Sequence, residues 1–365
     1  VTHTDAQPTK SRELSERFVQ ALLLPEFPFD ALLLDIVQYQ ARHNPRLDAF
    51  WKGRGFDAED PNASPFIPAV PTDVFRHVPL VSNEAAPKGV FRTSGTTSGR
   101  RGEHFYLSTV AYDAGAVQHF QRAVLGNQDP IHLISVAFDA QTHPDSSLSH
   151  MLAHFGKTLG KDARSQEFYF ESKGLRKEAL AQRLQQAIEE KEPVILFGTA
   201  FGLADAMDAI APTALPQGSK ILQTGGFKGR REAISAQALY QRLSEHYHVP
   251  PSQVLAEYGM TELGSQLYSD ITEPASTSEQ SAARRLVAPP WCKVEAVDPH
   301  TLAPLPQGEV GLLRFSDCAN IDSVAVIQTS DLGIIHPDGV ELIGRSEDAT
   351  PRGCSLAIEE IRAIS

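Results

Sequence analysis

Phe91-Arg-Thr-Ser-Gly-Thr-Thr-Ser-Gly-Arg-Arg-Gly102 is made almost wholly of glycine and small hydroxyl residues between its arginines. Thr93, Ser94, Gly95, Thr96, Thr97, Ser98 and Gly99 carry no bulk that would keep an anion away from the backbone. Their N–H groups and hydroxyls can wrap around phosphate oxygens, with Arg100 and Arg101 supplying positive charge beside them. No Gly-Lys-[Ser/Thr] closes the stretch, so it is not a Walker A loop. Taken alone it also fits a flexible Ser/Gly linker. The rest of the chain has to decide between the two.

Outward from this loop the pattern is one of strands alternating with helices. Phe105-Tyr-Leu107 reads as a strand and residues 108–124 as a helix. His132-Leu-Ile-Ser-Val-Ala-Phe138 is a continuous apolar run of buried-strand length. Leu180, Leu184 and Ile188 share one side of an expected helix over 175–190. Pro193-Val-Ile-Leu-Phe197 follows as a strand ended by Gly198, and Lys220-Ile-Leu-Gln-Thr224 as another ended by Gly225-Gly226, with a helix over 230–246 after it. Such alternation implies parallel βαβ architecture, whose ligands sit beyond the carboxyl ends of the strands. On the amino-terminal side, residues 10–50 read as helices broken at Pro25 and Pro28, and 61–90 as a proline-rich extended connector. From about 285 the texture becomes antiparallel. Cys292–Asp298 alternates, prolines make turns, and Glu309–Phe315 and Val324–Gln328 follow as strands.

The expected fold is therefore α/β, with mixed and parallel sheets, flanking helices and a small β-barrel-like subdomain. The expected domains are an adenylating body over 1–284 in two interleaved subdomains, the antiparallel β subdomain over 285–345, and a short tail over 346–365. The chain has 365 residues, 41% hydrophobic and 21% charged, an ordinary soluble composition. A net charge of −12 argues against a non-specific nucleic-acid binder. Cys292, Cys318 and Cys354 are too widely spaced for a disulfide framework or a metal cluster. Neither a signal peptide nor a run of 18 apolar residues is seen, so no membrane partner and a cytoplasmic setting are expected.

Further motifs follow the glycine loop in order: Gln223-Thr-Gly-Gly-Phe-Lys228, Glu257-Tyr-Gly-Met-Thr-Glu262, Leu305-Pro-Gln-Gly-Glu-Val-Gly311, Thr329-Ser-Asp-Leu-Gly333 and Gly344-Arg345. Each is weak alone; together, in this order and spacing, they resemble the acyl-adenylate-forming superfamily. That superfamily includes acyl-CoA synthetases and peptide-synthetase adenylation domains. The fold expected is its large N-terminal domain. Phe91-Arg-Thr-Ser-Gly-Thr-Thr-Ser98 and Arg352-Gly-Cys-Ser-Leu356 resemble its acyl-protein synthetase branch. They are also similar to a related adenylating enzyme of phenazine antibiotic biosynthesis.

The resemblance implies ATP-dependent activation of a carboxylic acid as acyl-AMP, with pyrophosphate release. The acid would be aromatic, phenazine-like or fatty, for transfer to a thiol or reduction by a partner reductase. ATP or AMP and Mg²⁺ are the implied cofactors, and a reductase or acyl-acceptor protein the implied partner. The loop, Thr96 included, would hold the β- and γ-phosphates. Thr261 would bond the α-phosphate, and Glu262 would hold Mg²⁺. Gly225, Gly226 and Phe227 would lie along adenine, with Tyr258 on its other face and Glu257, Gly259 and Met260 beside it. Asp331 would take the ribose hydroxyls, and Arg345 sits in the hinge motif. Phe197, Gly198, Ala200 and Phe201 would line the acyl pocket. Cys354 would accept the acyl group as a thioester, with Arg352 able to lower its pKa.

Plainer roles stay open at each position. Glu262 could be a solvated helix residue, Asp331 a turn aspartate before Gly333, Phe227 a core residue, Arg345 and Lys228 surface charges, and Cys354 an inert thiol. Cys292 and Cys318 read as packing, and His143 and His150 as loop or core residues. Two departures from the superfamily stand out. The phosphate loop ends Ser-Gly-Arg-Arg-Gly where most members have Gly-x-Pro-Lys-Gly. The sequence also reaches Ser365 soon after Gly344-Arg345, where most members continue into a mobile domain that carries a lysine assisting adenylation. The expectation is that this domain is lacking, with Lys228 the nearest motif lysine. A non-catalytic AMP-binding subunit of a multienzyme complex is the alternative. A kinase or ATPase is disfavoured by the lack of Walker and kinase motifs.

Overall fold

Thr9 opens the first helix, α1 (Lys10–Ala21), by accepting a hydrogen bond from the Arg12 N–H at 3.3 Å. That bond satisfies one of the four free donors of the first turn. Leu14 and Phe18, four apart, fall on its buried face. Helix α2 (Phe29–His43) follows, then α3 (Pro45–Lys52), which Asn44 caps and Pro45 starts. The computed structural model describes residues 9–60, 66–94, 99–126, 130–225, 235–269 and 284–345. The chain divides into two compact units that interleave in sequence. The first takes the chain up to Ala116, Met260–Ser265 and the chain from Ala288 on; the second takes Val117–Gly259 and Gln266–Val287.

The first unit starts with α1 to α3 and the short strand β1 (Val70–Pro71). A separate hairpin follows, made of β2 (Gly89–Arg92) and β3 (Glu103–Tyr106), with Gly89 opposite Tyr106 and Arg92 opposite Glu103. Helix α4 (Val110–Phe120) contains the boundary between the units and ends in a wide turn over Gln121–Leu125. On the first-unit side, Gly115 lets α4 lie against Trp291, whose ring meets Phe18 edge-on at 5.8 Å.

The second unit is a sheet covered by helices. In chain order its elements are β4 (His132–Phe138), α5 (Ser147–Thr158), β5 (Phe168–Glu171), β6 (Gly174–Leu175), α6 (Lys177–Glu190), β7 (Val194–Thr199), α7 (Ala200–Ala209), β8 (Lys220–Thr224), α8 (Ala236–Tyr247), β9 (Val254–Tyr258), β10 (Leu267–Ser269) and β11 (Arg285–Val287). The spatial order is β11-β10-β9-β8-β7-β4-β5-β6. The ladders joining β9, β8, β7, β4 and β5 are parallel. Strands inside such a sheet are covered on both faces, which is why β4 and β7 read as largely apolar runs and all five residues of β8 are buried. Leu180, Leu184 and Ala187 of α6 and Leu239 and Leu243 of α8 pack into one core with Ile134, Leu196 and Ile221 of the strands.

Back in the first unit, β12 (Cys292–Val297), β13 (Val310–Asp317), β14 (Val326–His336) and β15 (Gly339–Arg345) pair antiparallel in that order, and β1 adds parallel to β14. The architecture is the expected α/β one: a parallel sheet with flanking helices, and an antiparallel β region late in the chain. Among the described residues, no helix is long and apolar enough to cross a membrane.

Several expected elements differ in detail. The extended connector contains a single tight turn, Thr72–Arg76, as well as β1. The strand expected to end at Gly198 runs on to Thr199, because Gly198 sits opposite Val136 of β4 in the ladder. A Cβ there would lie 2.8 Å from the Val136 carbonyl oxygen and 2.9 Å from its Cβ. Glycine at 198 thus serves close packing inside the sheet. Gly198→Ala is expected to lower stability by about 1–3 kcal/mol through overpacking, read as a lower urea midpoint with an unchanged m-value.

Candidate functional site

The glycine-rich stretch is the connection of the β2–β3 hairpin. Its base is closed twice: the Thr93 N–H donates to the Gly102 carbonyl at 3.0 Å, and the Gly102 N–H donates to Thr93 Oγ1 at 2.9 Å. The Arg101 guanidinium turns back over this base, donating to the Thr93 carbonyl at 2.5 Å and the Arg92 carbonyl at 3.0 Å. Arg101 therefore stiffens the loop as well as adding charge to it. Gly95, Thr96, Thr97 and Ser98 lie outside the described residues, while Ser94 and Gly99 are exposed at the loop's two shoulders.

Within the same unit, Met260–Ser265 meets the base of this hairpin. A Cβ on Gly102 would lie 3.2 Å from Glu262 Oε1, so glycine at 102 leaves a cradle that the Glu262 carboxylate occupies. Glu262 is buried, which sets aside its reading as a solvated helix residue. Thr261 is half-buried, and its carbonyl accepts from His104 Nδ1 of β3 at 2.6 Å. A carbonyl only accepts, so this bond fixes the proton on Nδ1. Burial pushes the His104 pKa down, keeping the imidazole neutral, and the Asn320 side chain bonds the same ring. Asn320 Nδ2 also donates to the Glu262 carbonyl at 2.9 Å.

The turn is anchored from below by Asp317, at the end of β13. Asp317 is fully buried and accepts from the Gly264 N–H at 2.8 Å, the Ser265 hydroxyl at 2.7 Å and the Ala319 N–H at 2.9 Å. Burial pushes its carboxyl up to about 6, and these donors hold it from rising further. Sequence reasoning singled out none of His104, Asp317 or Asn320. The available signal was Asp317-Cys-Ala-Asn-Ile-Asp322, a polar cluster between two apolar strands.

Asp331 lies inside β14, opposite Arg345 of β15, with Arg345 Nε 3.5 Å from its carboxylate. It is a strand residue next to a register irregularity at Leu332 and Gly333, not a turn aspartate. Asp331, expected at the ribose, and Arg345 of the hinge motif thus face one another.

In the second unit, Thr224 and Glu257 are partners across the β8–β9 ladder, and Gly225 and Tyr258 follow them at the carboxyl ends of the two strands. Gly225 has φ +70°, a conformation glycine adopts without strain. The Gln223 amide donates to its carbonyl, and Gln223 Oε1 accepts from Tyr240 at 3.3 Å. Gly226, Phe227 and Lys228 lie outside the described residues. Gly259 is exposed and Met260 half-buried; a Cβ on Gly259 would collide with the Glu257 carboxylate. Of the expected acyl-pocket residues, Phe197 is fully buried and lies parallel to Phe120, 6.3 Å apart, and Ala200 is buried at the start of α7. Gly198 packs on Val136, and Phe201 is half-buried. His143 stacks on Phe138 at 4.2 Å, and His150 lies in α5. Cys292 and Cys318 are buried and free, with both thiol pKa values pushed well up by burial. Arg352 and Cys354 lie outside the described residues.

Glu257 is buried, and desolvation raises its pKa from 4.5 to about 7 against one hydroxyl donor, Thr224. Its folded pKa is the higher one, so its contribution to stability is fully present below pH 4.5 and is lost as pH rises through about 7. Glu257→Gln removes that titration. Between pH 5 and 8 the stability of the wild type should fall relative to the variant by on the order of 3 kcal/mol, measured by denaturant unfolding at stepped pH. Parallel curves for the two proteins would show that Glu257 titrates normally.

The acyl-protein synthetase family LuxE matches residues 27–362. Two long-chain-fatty-acid–luciferin-component ligases, from Vibrio harveyi and Aliivibrio fischeri, are each 26% identical to the chain, over 149 and 152 residues. Those matches take in 38% and 39% of this chain and 36% and 37% of the relatives, so the chain spans little more than a third of the curated relatives it matches. In fold, the chain is similar to a 2-hydroxyisobutyryl-CoA ligase solved with 2-HIB-AMP and CoA: TM-score 0.60, 17% identity, covering 87% of this chain and 75% of that one. It is also similar to McyG A-PCP solved with phenylalanyl-adenylate: TM-score 0.51, 15% identity, covering 80% and 44%. The hairpin loop, the Thr261–Glu262 turn and the paired Asp331 and Arg345 all fall within residues 27–362, and the chain belongs to the LuxE acyl-protein synthetase family.

Proposed function

We propose that this chain activates a carboxylic acid with ATP. A carboxylate is a poor electrophile, because resonance and charge protect its carbon. In the proposed step a carboxylate oxygen attacks the α-phosphorus of ATP, the bond from that phosphorus to the bridging oxygen breaks, and pyrophosphate leaves. The product is a mixed anhydride with a good leaving group. The protein's share of such a step is mainly positioning and neutralisation of phosphate charge. The observation that carries this reading is the Glu262 carboxylate seated in the cradle left by Gly102, at the base of the phosphate-type loop.

The Glu262 carboxylate at the base of the loop is also a suitable donor for Mg²⁺, since one carboxylate plus substrate phosphates is the arrangement that ion favours. Glu262 would hold the ion, which when bound neutralises charge on the phosphate oxygens. Residues 93–99 would cradle the β- and γ-phosphates, and Thr261 would donate to the α-phosphate. Gly225, Gly226, Phe227, Glu257, Tyr258, Gly259 and Met260 would surround adenine, with Asp331 taking the ribose hydroxyls beside Arg345.

The names of the curated relatives support a long-chain fatty acid as substrate; an aromatic, phenazine-like acid is the second class to assay. A reductase or acyl-acceptor protein would take the product. Exchange of labelled pyrophosphate into ATP across a panel of both acid classes tests the reading. AMP binding without exchange for any acid would instead support a non-catalytic AMP-binding subunit. Asp331→Ala is expected to weaken AMP binding by about 1–3 kcal/mol, since a charged acceptor for two hydroxyls is lost. Unchanged affinity by calorimetry would remove the ribose role.

The acyl group would then pass to Cys354. The burial of Cys292 and Cys318 supports this choice, because a nucleophile must be a thiolate and both of those thiols resist ionisation. The Cys354 thiolate would attack the acyl carbon and expel AMP, leaving a thioester. Incubation with ATP, Mg²⁺ and the acid should add one acyl mass that hydroxylamine removes. Cys354→Ser should abolish that labile adduct while leaving pyrophosphate exchange intact. An unmodified Cys354 beside robust acyl-adenylate formation would mean that the acid goes directly to an external acceptor.

A further inference from the structure

The turn that carries Thr261 and Glu262 has no regular secondary structure of its own. Backbone of this kind holds a position only if its polar groups are bonded from outside. Three buried groups of the same unit supply such bonds. His104 takes the Thr261 carbonyl at 2.6 Å, Asn320 takes the Glu262 carbonyl at 2.9 Å, and Asp317 takes the Gly264 N–H at 2.8 Å and the Ser265 hydroxyl at 2.7 Å. His104 and Asn320 also touch each other, so the three holds form one connected set. The set is itself tied down. Gln40 donates to the Asn320 and Ile321 carbonyls at 2.8 and 2.9 Å and accepts from the Ala325 N–H at 3.0 Å. Asp322 accepts from the Ser11 hydroxyl at 2.5 Å and from the Leu107 and Ser108 N–H groups at 2.9 and 3.0 Å.

Nothing in the packing alone requires this many polar groups at one point. A buried carboxylate such as Asp317 is costly unless well paired, and an apolar residue would anchor a merely structural turn more cheaply. Specific hydrogen bonds to successive carbonyls set the direction of each peptide plane, and so the direction in which the side chains of 261 and 262 leave the backbone.

We propose that His104, Asn320 and Asp317 are positioning residues for Glu262: they fix the turn so that its carboxylate stays in the Gly102 cradle, aimed at a divalent cation carried by a nucleoside triphosphate. The inference rests on the proposed function and adds residues to it. It separates binding that needs the metal from binding that does not. AMP, which needs no metal, would depend on this turn through Met260 and Thr261; magnesium-bound ATP would depend on it through Glu262 as well.

The experiment uses the full chain, without acid, in the wild type and in His104→Leu, His104→Asn and Asp317→Asn. Calorimetry measures ATP binding at stepped MgCl2 concentrations and AMP binding without metal. In His104→Leu and Asp317→Asn the MgCl2 needed for half-maximal ATP binding should rise roughly 10-fold or more, clearly exceeding the fold-change in AMP affinity, which the variants alter only through Met260 and Thr261. His104→Asn, which puts an amide nitrogen near the place of Nδ1, should return the requirement towards that of the wild type. An unshifted magnesium requirement in His104→Leu overturns the inference. So does a parallel loss of AMP and ATP binding with lowered thermal stability, which marks a structural role. If Asp317→Asn does not fold, the two His104 variants decide. Wild-type protein that binds ATP without any magnesium dependence removes the metal reading of Glu262 itself. Magnesium-dependent binding in the wild type with unmoved variants removes the positioning role alone.

Discussion

Asp317 takes a carboxylate completely out of water, and most of the first unit is arranged around that fact. A charge in such a place is tolerated only when donors surround it. Asp317 has two backbone N–H groups and a hydroxyl at 2.7 to 2.9 Å. Asp322 repeats the arrangement five residues later with two N–H groups and the Ser11 hydroxyl. The donors come from α1, from the residues after β3 and from the 260–265 turn, which are far apart in sequence. Two buried acids in one short loop therefore hold together three segments with no secondary structure in common. Remove either acid and each donor it satisfies becomes a buried, unmade hydrogen bond, costing about 1–3 kcal/mol apiece.

Glycine works in the opposite sense, by leaving space. At 102 the missing Cβ admits the Glu262 carboxylate, and at 259 it admits that of Glu257. The two acids of Glu257-Tyr-Gly-Met-Thr-Glu262 thus each depend on a glycine, one within the motif and one in the hairpin loop. Arg101 adds a third constraint. Spending part of its guanidinium on two carbonyls at the hairpin base costs some freedom to follow an anion. In return the loop is anchored at Thr93 and Gly102, the points where the hairpin ladder stops.

The parallel sheet was legible because β4 and β7, covered on both faces, are largely apolar, and because glycines follow β8. Strand β9 was not, because a charged residue, Glu257, comes one residue before its end and the motif claimed that end. Strand β15 begins at Gly339 and has Gly344 near its end, so within the expected antiparallel subdomain it did not stand out as a strand. The stretch before α5 looked like a histidine-bearing loop, and the helix behind it starts at the Ser146 cap and buries Met151, Leu152 and Phe155. At the candidate site the small residues of 93–99 announced themselves by composition. His104, Asn320 and Asp317 did not, because what makes each matter is a partner far away in the sequence. Asp331 was legible as a motif aspartate but not as a strand residue, since Leu332-Gly333 looks like the start of a turn.

The two most buried motif-related acids differ in a way that bears on their use. Burial pushes the Asp317 carboxyl up to about 6, and all the partners that surround it are donors, so it serves them as an acceptor. Glu257, near 7 with one hydroxyl partner, carries its proton over part of the neutral range and can donate as well as accept. A fixed acceptor is what an anchor for backbone N–H groups must be. Glu257 has only the Thr224 hydroxyl as a donor, and its carboxylate lies in the space that Gly259 leaves. Burial is shared by both residues; the number of donors around each is what separates their titration.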